Sequence, residues 1–167
     1  MASISYDEIY SSFYMSIDDY SLTALAQTDA YMHMNEYLRQ ALSRPFLRRQ
    51  FTTVTRDDEV QVLEYELERP NTVDLQADED FVILVVSKMM VYEWASPKVE
   101  SLTHMSQFFG TADEKYYAQA NHLAQLRALR DDMYAEVQRL ISDRDFTDNP
   151  YLDGTTVAAT KRQVTLS

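Results

Sequence analysis

Few residues in this chain are equipped for chemistry. Its 167 residues include three histidines, His33, His104 and His122, and no cysteine. Disulfides, thiolate metal sites and a cysteine nucleophile are therefore excluded. Asp29, His33 and Glu36 fall about one helical turn apart, which would set three ligands near one face. This triplet is the best metal candidate, yet a solvated histidine beside ordinary helix carboxylates explains it more simply. His122 has no acid one turn away and reads as packing. Asp143, Asp145, Asp148 and Asp153 loosely follow a calcium loop, but the central glycine and the strict alternation are missing. No phosphate-binding glycine loop, nucleophile elbow, His-Glu-x-x-His pair or kinase signature occurs. Acidic pairs such as Asp131-Asp132 read as solvated helix faces. The expectation is a non-enzyme with no catalytic, cofactor-binding or metal residue and no cofactor.

Charge is the stronger signal. The net charge is −12, which argues against gripping nucleic acid through clustered cations. The charge is unevenly placed. Arg39, Arg44, Arg48, Arg49 and Arg56 precede a stretch, Asp57 to Asp80, with ten acids and one base, Arg69. A basic patch on one copy facing an acidic patch on the next makes a head-to-tail contact, and such contacts close into rings when the rotation permits. The candidate subunit interface is therefore Arg39, Arg44, Arg48 and Arg49 against Asp57, Asp58 and Glu59. The plainer readings are that the arginines form an ordinary solvated surface, or that patches so close in sequence neutralise each other within one subunit.

The elements that must hold these residues are mostly helical. Only 2 glycines and 4 prolines occur, too few for an all-β fold with many tight turns. With 46% hydrophobic residues, the chain can bury a core. Ser5 and Glu8 have capping-box spacing, followed by Tyr6, Ile9, Phe13 and Ile17 at helical intervals. Thr28 or Asp29 caps a second helix, Tyr31 to Leu42, with Met34, Leu38, Ala41 and Leu42 on one face and Pro45 as its stop. Residues 49–67 change period and predict a β-hairpin, and the shift of alternation at Val62-Leu63 marks either a bulge or a helix in place of the hairpin. Asp78-Glu79-Asp80 opens a helix whose span from Phe81 to Trp94 is apolar nearly all round, the expected core. Pro97 begins a short helix with Val99 and Leu102, and Gly110 marks a break.

A last helix, about Asp113 to Asp143, repeats Tyr116, Leu123, Leu126, Met133, Val137 and Leu140 at three- and four-residue steps, interrupted by Gln119 and Arg130. It packs along another helix, of this chain or of a neighbouring copy. Twelve tyrosines, seven phenylalanines and eight methionines suit a core and an interface equally. The longest apolar run, Phe81 to Val86, is far short of a membrane span, and no signal peptide is expected from Met1-Ala2-Ser3. Beyond Phe146 the periodicity dissolves, past Pro150 and Gly154, into an arm rich in β-branched residues. The fold class is mainly α: a helical bundle with one long C-terminal helix, a β-hairpin excursion and an extended C-terminal arm. Residues 1–146 form the helical domain and 147–167 the arm.

Two blocks carry a family resemblance. Asp78-Glu-Asp-Phe-Val-Ile-Leu-Val-Val-Ser-Lys-Met-Met-Val-Tyr-Glu-Trp-Ala-Ser-Pro97 is one. Ser106-Gln-Phe-Phe-Gly-Thr-Ala-Asp-Glu-Lys-Tyr-Tyr-Ala-Gln-Ala-Asn-His-Leu-Ala-Gln-Leu-Arg127 is the other. They resemble small proteins of the head–tail joining cluster of long-tailed bacteriophages, over about Tyr6 to Leu152, and most of all the head-to-tail adaptor (connector) family. The resemblance implies a structural virion protein of the phage neck, assembled in the host cytoplasm. It implies a homo-oligomeric ring, a dodecamer, between portal protein and stopper or tail-completion protein, with DNA passing through unread and no membrane involved. It also implies that the arm docks on a neighbouring ring, which singles out Thr155, Thr156, Val157, Lys161, Arg162 and Val164. The chain is longer than many adaptors. Another virion part, such as a tail-completion or capsid-associated protein, and a non-virion helical interaction module are the alternatives.

Overall fold

The structure is a computed structural model. It describes residues 1–17, 27–71, 74–108 and 114–147, with the backbone alone at 27, 104–108, 114–119 and 147. The chain is mainly helical, with a small antiparallel sheet and a long C-terminal helix.

Strand β1 (Ala2–Ser5) leads directly into helix α1 (Tyr6–Met15). The expected capping box is present. Asp7 N–H donates to the Ser5 hydroxyl at 3.2 Å, and Ser5 N–H donates to the Glu8 carboxylate at 3.3 Å. Tyr6, Ile9, Tyr10 and Phe13 then face inward. Helix α2 (Gln27–Ser43) starts earlier than its caps suggest. Thr28 and Asp29 lie inside its first turn rather than before it, where a carboxylate still suits the positive end of the dipole. Met34, Leu38, Ala41 and Leu42 are buried as one face. Arg44 is extended (φ −66°, ψ 124°), as a residue before proline must be, and Pro45 opens the short helix α3 (Pro45–Arg48).

The expected hairpin is strands β2 (Phe51–Asp57) and β3 (Val62–Leu67), and β1 pairs with the far side of β3. Leu63, Tyr65 and Leu67 face the core. Val60 is exposed in the turn and Val62 only partly covered. The apparent shift of alternation there is thus the turn itself, and the irregularity in register sits on the opposite strand, between Phe51 and Thr53. Asp57 holds the turn by accepting from the backbone N–H groups of Glu59 and Val60, and Gln61 takes a positive φ of 58°. Such a backbone is uncommon outside glycine and asparagine. Tyr6 N–H donates to the Gln61 carbonyl at 2.9 Å, tying this turn to the start of α1.

Helix α4 (Leu75–Phe108) begins three residues before Asp78. Asp74 accepts from the N–H groups of Gln76 and Ala77, the geometry of an N-cap, and Asp78 falls in the first turn. Pro97 does not start a separate helix; α4 runs through it. Proline removes one backbone hydrogen bond and costs about 3 kcal/mol in a helix interior. Burial of Trp94, Ala95 and Val99 on either side of it offsets that cost. Helix α5 (Glu114–Thr147) is about 51 Å long at 1.5 Å per residue. It lies along α4, with Leu123, Leu126 and Val137 buried and Met133 and Leu140 half-buried. Arg130 sits partly buried in that seam and pairs with Asp131. The expected break at Gly110, and the positions Tyr116 and Gln119, lie outside the described side chains.

Helix α4 is the centre. Val82, Val85, Val86, Met89, Met90 and Val91 are fully buried, and α1, α2 and α5 all lie against it. Among the described residues no helix is long and apolar enough to cross a membrane. Met89→Ala is expected to cost about 2–5 kcal/mol of unfolding free energy, whereas Met32→Ala on the exposed side of α2 should stay within about 0.5 kcal/mol. Urea titration checks both.

Burial pushes the hydroxyl pKa values of Tyr6, Tyr10, Tyr14, Tyr31 and Tyr65 upward. Tyr6 and Tyr10 rise furthest, and Tyr65 is pushed up to about 12 by burial, helped by Glu79 and Asp78. A neutral Tyr65 favours the folded state. Its contribution is complete below pH 10, the unfolded value, and is lost as pH rises from 10 through about 12. Tyrosinate absorbance and loss of helical circular dichroism should therefore appear together in that window.

Candidate assembly surfaces

The arginine cluster that the sequence groups together is divided by the fold. Arg39, on α2, forks onto Glu36 at 2.8 and 2.5 Å, and Gln40 also donates to Glu36 at 2.7 Å. These bonds, that from Arg39 foremost, hold the Glu36 carboxyl down at about 2. The Asp29–His33–Glu36 triplet thereby loses its last member to an arginine, and His33 is exposed and stacked on Tyr37, ring centroids 6.4 Å apart. Among the described residues no group of three or more His, Asp or Glu side chains is placed to hold a metal. Asp143 and Asp145 lie on α5, not in a loop, and Asp145 is 3.6 Å from Arg69. Asp148 and Asp153 lie outside the described residues.

Arg44 turns inward. Its fork meets the two oxygens of the buried Glu93 at 2.5 and 2.9 Å, and its guanidinium lies 5.1 Å from the Tyr92 ring centre. This is a bidentate pair between the α2–α3 corner and α4, so Arg44 serves the interior. Arg48 donates to the Val54 carbonyl of β2 at 3.3 Å. Arg56 donates to the Asn35 carbonyl of α2 and to Asp58 at 2.9 Å. Arg39, Arg48 and Arg56 surround Leu42 and Val54 in a groove of about 370 Å³ between α2 and β2. Arg49 stays exposed and has no carboxylate partner among the described residues.

The acidic side divides too. Asp57 is used in the turn, and Asp58 accepts from the Tyr6 hydroxyl at 2.8 Å as well as from Arg56. Neutralisation within the subunit is therefore real for Arg56 and Asp58. The Glu59 side chain has no partner among the described residues. Glu64 and Glu66 stand on the outward face of β3.

A second charged site, absent from the sequence reading, lies at the open end of the hairpin. Arg144 near the end of α5 meets Asp78 at 2.5 Å, donates to the Arg69 carbonyl at 2.8 Å, and lies 4.5 Å from the Phe81 ring centre. Asp78 also accepts from Asn71 N–H at 2.9 Å. Both side chains of the pair are nearly buried, at 12% and 8% exposure. Beside this clasp, Arg49, Gln50, Glu68, Arg69, Arg144 and Asp145 line a cavity of about 210 Å³. Asp78 and Arg144 are 66 residues apart, so no spacing rule joins them. His122 is exposed on α5, in an apolar groove with Pro97, Leu102 and Leu126. The arm residues Thr155, Thr156, Val157, Lys161, Arg162 and Val164 lie outside the described residues.

No family model, no curated protein and no solved structure matches the chain.

Arg144→Ala strands the Asp78 carboxylate in a nearly dry site and is expected to cost about 3–5 kcal/mol. Arg144→Met combined with Asp78→Leu removes both charges and should recover most of that loss. A double-mutant cycle by urea unfolding measures the difference.

Proposed function

We propose that this chain is a structural part of a tailed-phage virion: a head-to-tail adaptor that forms a ring in the neck, between portal and stopper or tail-completion protein. The carrying observation is where the two resembling blocks fall. The first, Asp78 to Pro97, is the buried stretch of α4 against which α1, α2 and α5 lie. The second, Ser106 to Arg127, spans the end of α4 and the first half of α5. The resemblance therefore covers the spine of the body rather than a peripheral element.

The mechanism is geometric. Paired helices give each copy a stiff wall, and unlike charged patches on its surface suit a head-to-tail contact. A net charge of −12 lets duplex DNA slide past such a wall without being held. The β-branched arm, with Lys161 and Arg162, supplies an extended segment for a neighbouring ring.

Quantitative mass spectrometry of purified virions tests this reading. About a dozen copies per particle, the number that the resemblance to the adaptor family implies for a single closed ring, is the expected result. Hundreds of copies would move the chain to shell or tail tube, and its absence from virions would overturn the reading in favour of a helical interaction module.

A further inference from the structure

A buried polar atom without a partner is rare, because it gives up its bond to water and gains nothing in return. The hydroxyl oxygens of Tyr10 and Tyr31 and the side-chain oxygen of Asn35 are three such atoms, shielded from solvent and without a hydrogen-bond partner among the described residues. Tyr10 on α1 is buried and meets Tyr31 on α2 edge to face, with ring centres 5.2 Å apart. Asn35 follows Tyr31 by four residues on α2, so the two side chains share a face. A further orphan, the Thr53 hydroxyl, stands elsewhere: Thr53 is paired with Glu66 on the outward face of the sheet.

The polar groups around these three atoms are already committed. Tyr6, whose ring centre is 5.8 Å from that of Tyr10, donates to Asp58. Asp58 also accepts from Arg56, and Arg56 donates to the Asn35 backbone carbonyl. This run of bonds takes in neither tyrosine hydroxyl and leaves the Asn35 side-chain oxygen out. Burial raises both phenol pKa values, and the Asp58 carboxylate adds to the rise. Both hydroxyls therefore keep their protons, and each must direct one at an acceptor. A phenylalanine would bury as much ring at either position and leave no orphan. No direct bond joins any two of the three atoms. Polar groups held beside one another but beyond direct reach are the setting in which a water bridges.

We propose that Tyr10, Tyr31 and Asn35 form an internal hydration site, in which one bound water joins α1 to α2. The water accepts from the two phenol hydroxyls and donates to the Asn35 side-chain oxygen. Three bonds are about the usual number for a buried water. The ring contacts between these helices, Tyr10 with Tyr31 and Phe13 with Tyr37, are apolar and tolerate small shifts. A water held by three directional bonds does not, so it fixes how α1 and α2 lie against each other. The site belongs to the folded chain itself and is independent of what the chain assembles into.

Urea unfolding of the full chain tests it with Tyr10→Phe, Tyr31→Phe and the double variant. Each single substitution is expected to lower the folding equilibrium constant about tenfold. The double variant should lose clearly less than the product of the two, because both substitutions dismantle the same site. Singles as stable as the wild type, or more stable, overturn the proposal, since that is the result of removing an orphan hydroxyl from a dry interior. Losses that simply multiply also overturn it, because two independent hydroxyls do not share one water. Proton NMR supplies the second measurement. Slowly exchanging Tyr10 and Tyr31 hydroxyl protons with cross-relaxation to a long-lived water support the site. Hydroxyl protons without that water contact, or a crystal structure with a protein side chain filling the position, sink it.

Discussion

A helix that is apolar on nearly every side cannot stay in water, and α4 imposes that condition on the whole body. Helices α1 and α2 and the long α5 each cover part of it. Because three elements share one buried stretch, from Val82 to Ala95, their mutual angles are set by how they fit that surface. The sheet and the α2–α3 corner then pin the sides. The bidentate Arg44–Glu93 pair fixes the corner against the middle of α4, and Arg144–Asp78 fixes the end of α5 against its start. Both pairs are largely or partly withdrawn from water, where a charge must have its partner. They specify position more than they add stability.

This division of labour decides which charges remain for other molecules. Arg44 and Arg144 serve the interior. Arg56 and Asp58 cancel one another, and Arg39 is matched by Glu36. Within the arginine cluster and the three acids of the turn, Arg49 and Glu59 are the side chains without a partner among the described residues.

The parts of the fold that local physics determines were readable from the residues. The Ser5–Glu8 box, the apolar face of α2, the hairpin and the core helix each depend on spacing within one element. Strand β1 did not announce itself, because four residues with one buried side chain, Ile4, have no usable period; only β3 makes them a strand. Pro97 looked like a start signal and proved to be a tolerated interior residue, since packing around it outweighs one lost hydrogen bond. The Arg144–Asp78 clasp joins residues that nothing in the sequence connects. The arginine cluster misled for the opposite reason: nearness along the chain does not survive folding when a helix phase and a strand face send neighbours in different directions.

The Arg48 guanidinium on the Val54 carbonyl has a meaning beyond the single bond. Strand β2 is an outer strand of the sheet, and its unpaired backbone groups are a template on which any extended segment can grow. Arginine side chains along that border take up an acceptor and place positive charge there, while the other outer strand is only four residues long. The outer strand is thereby guarded against edge-to-edge pairing with another extended segment.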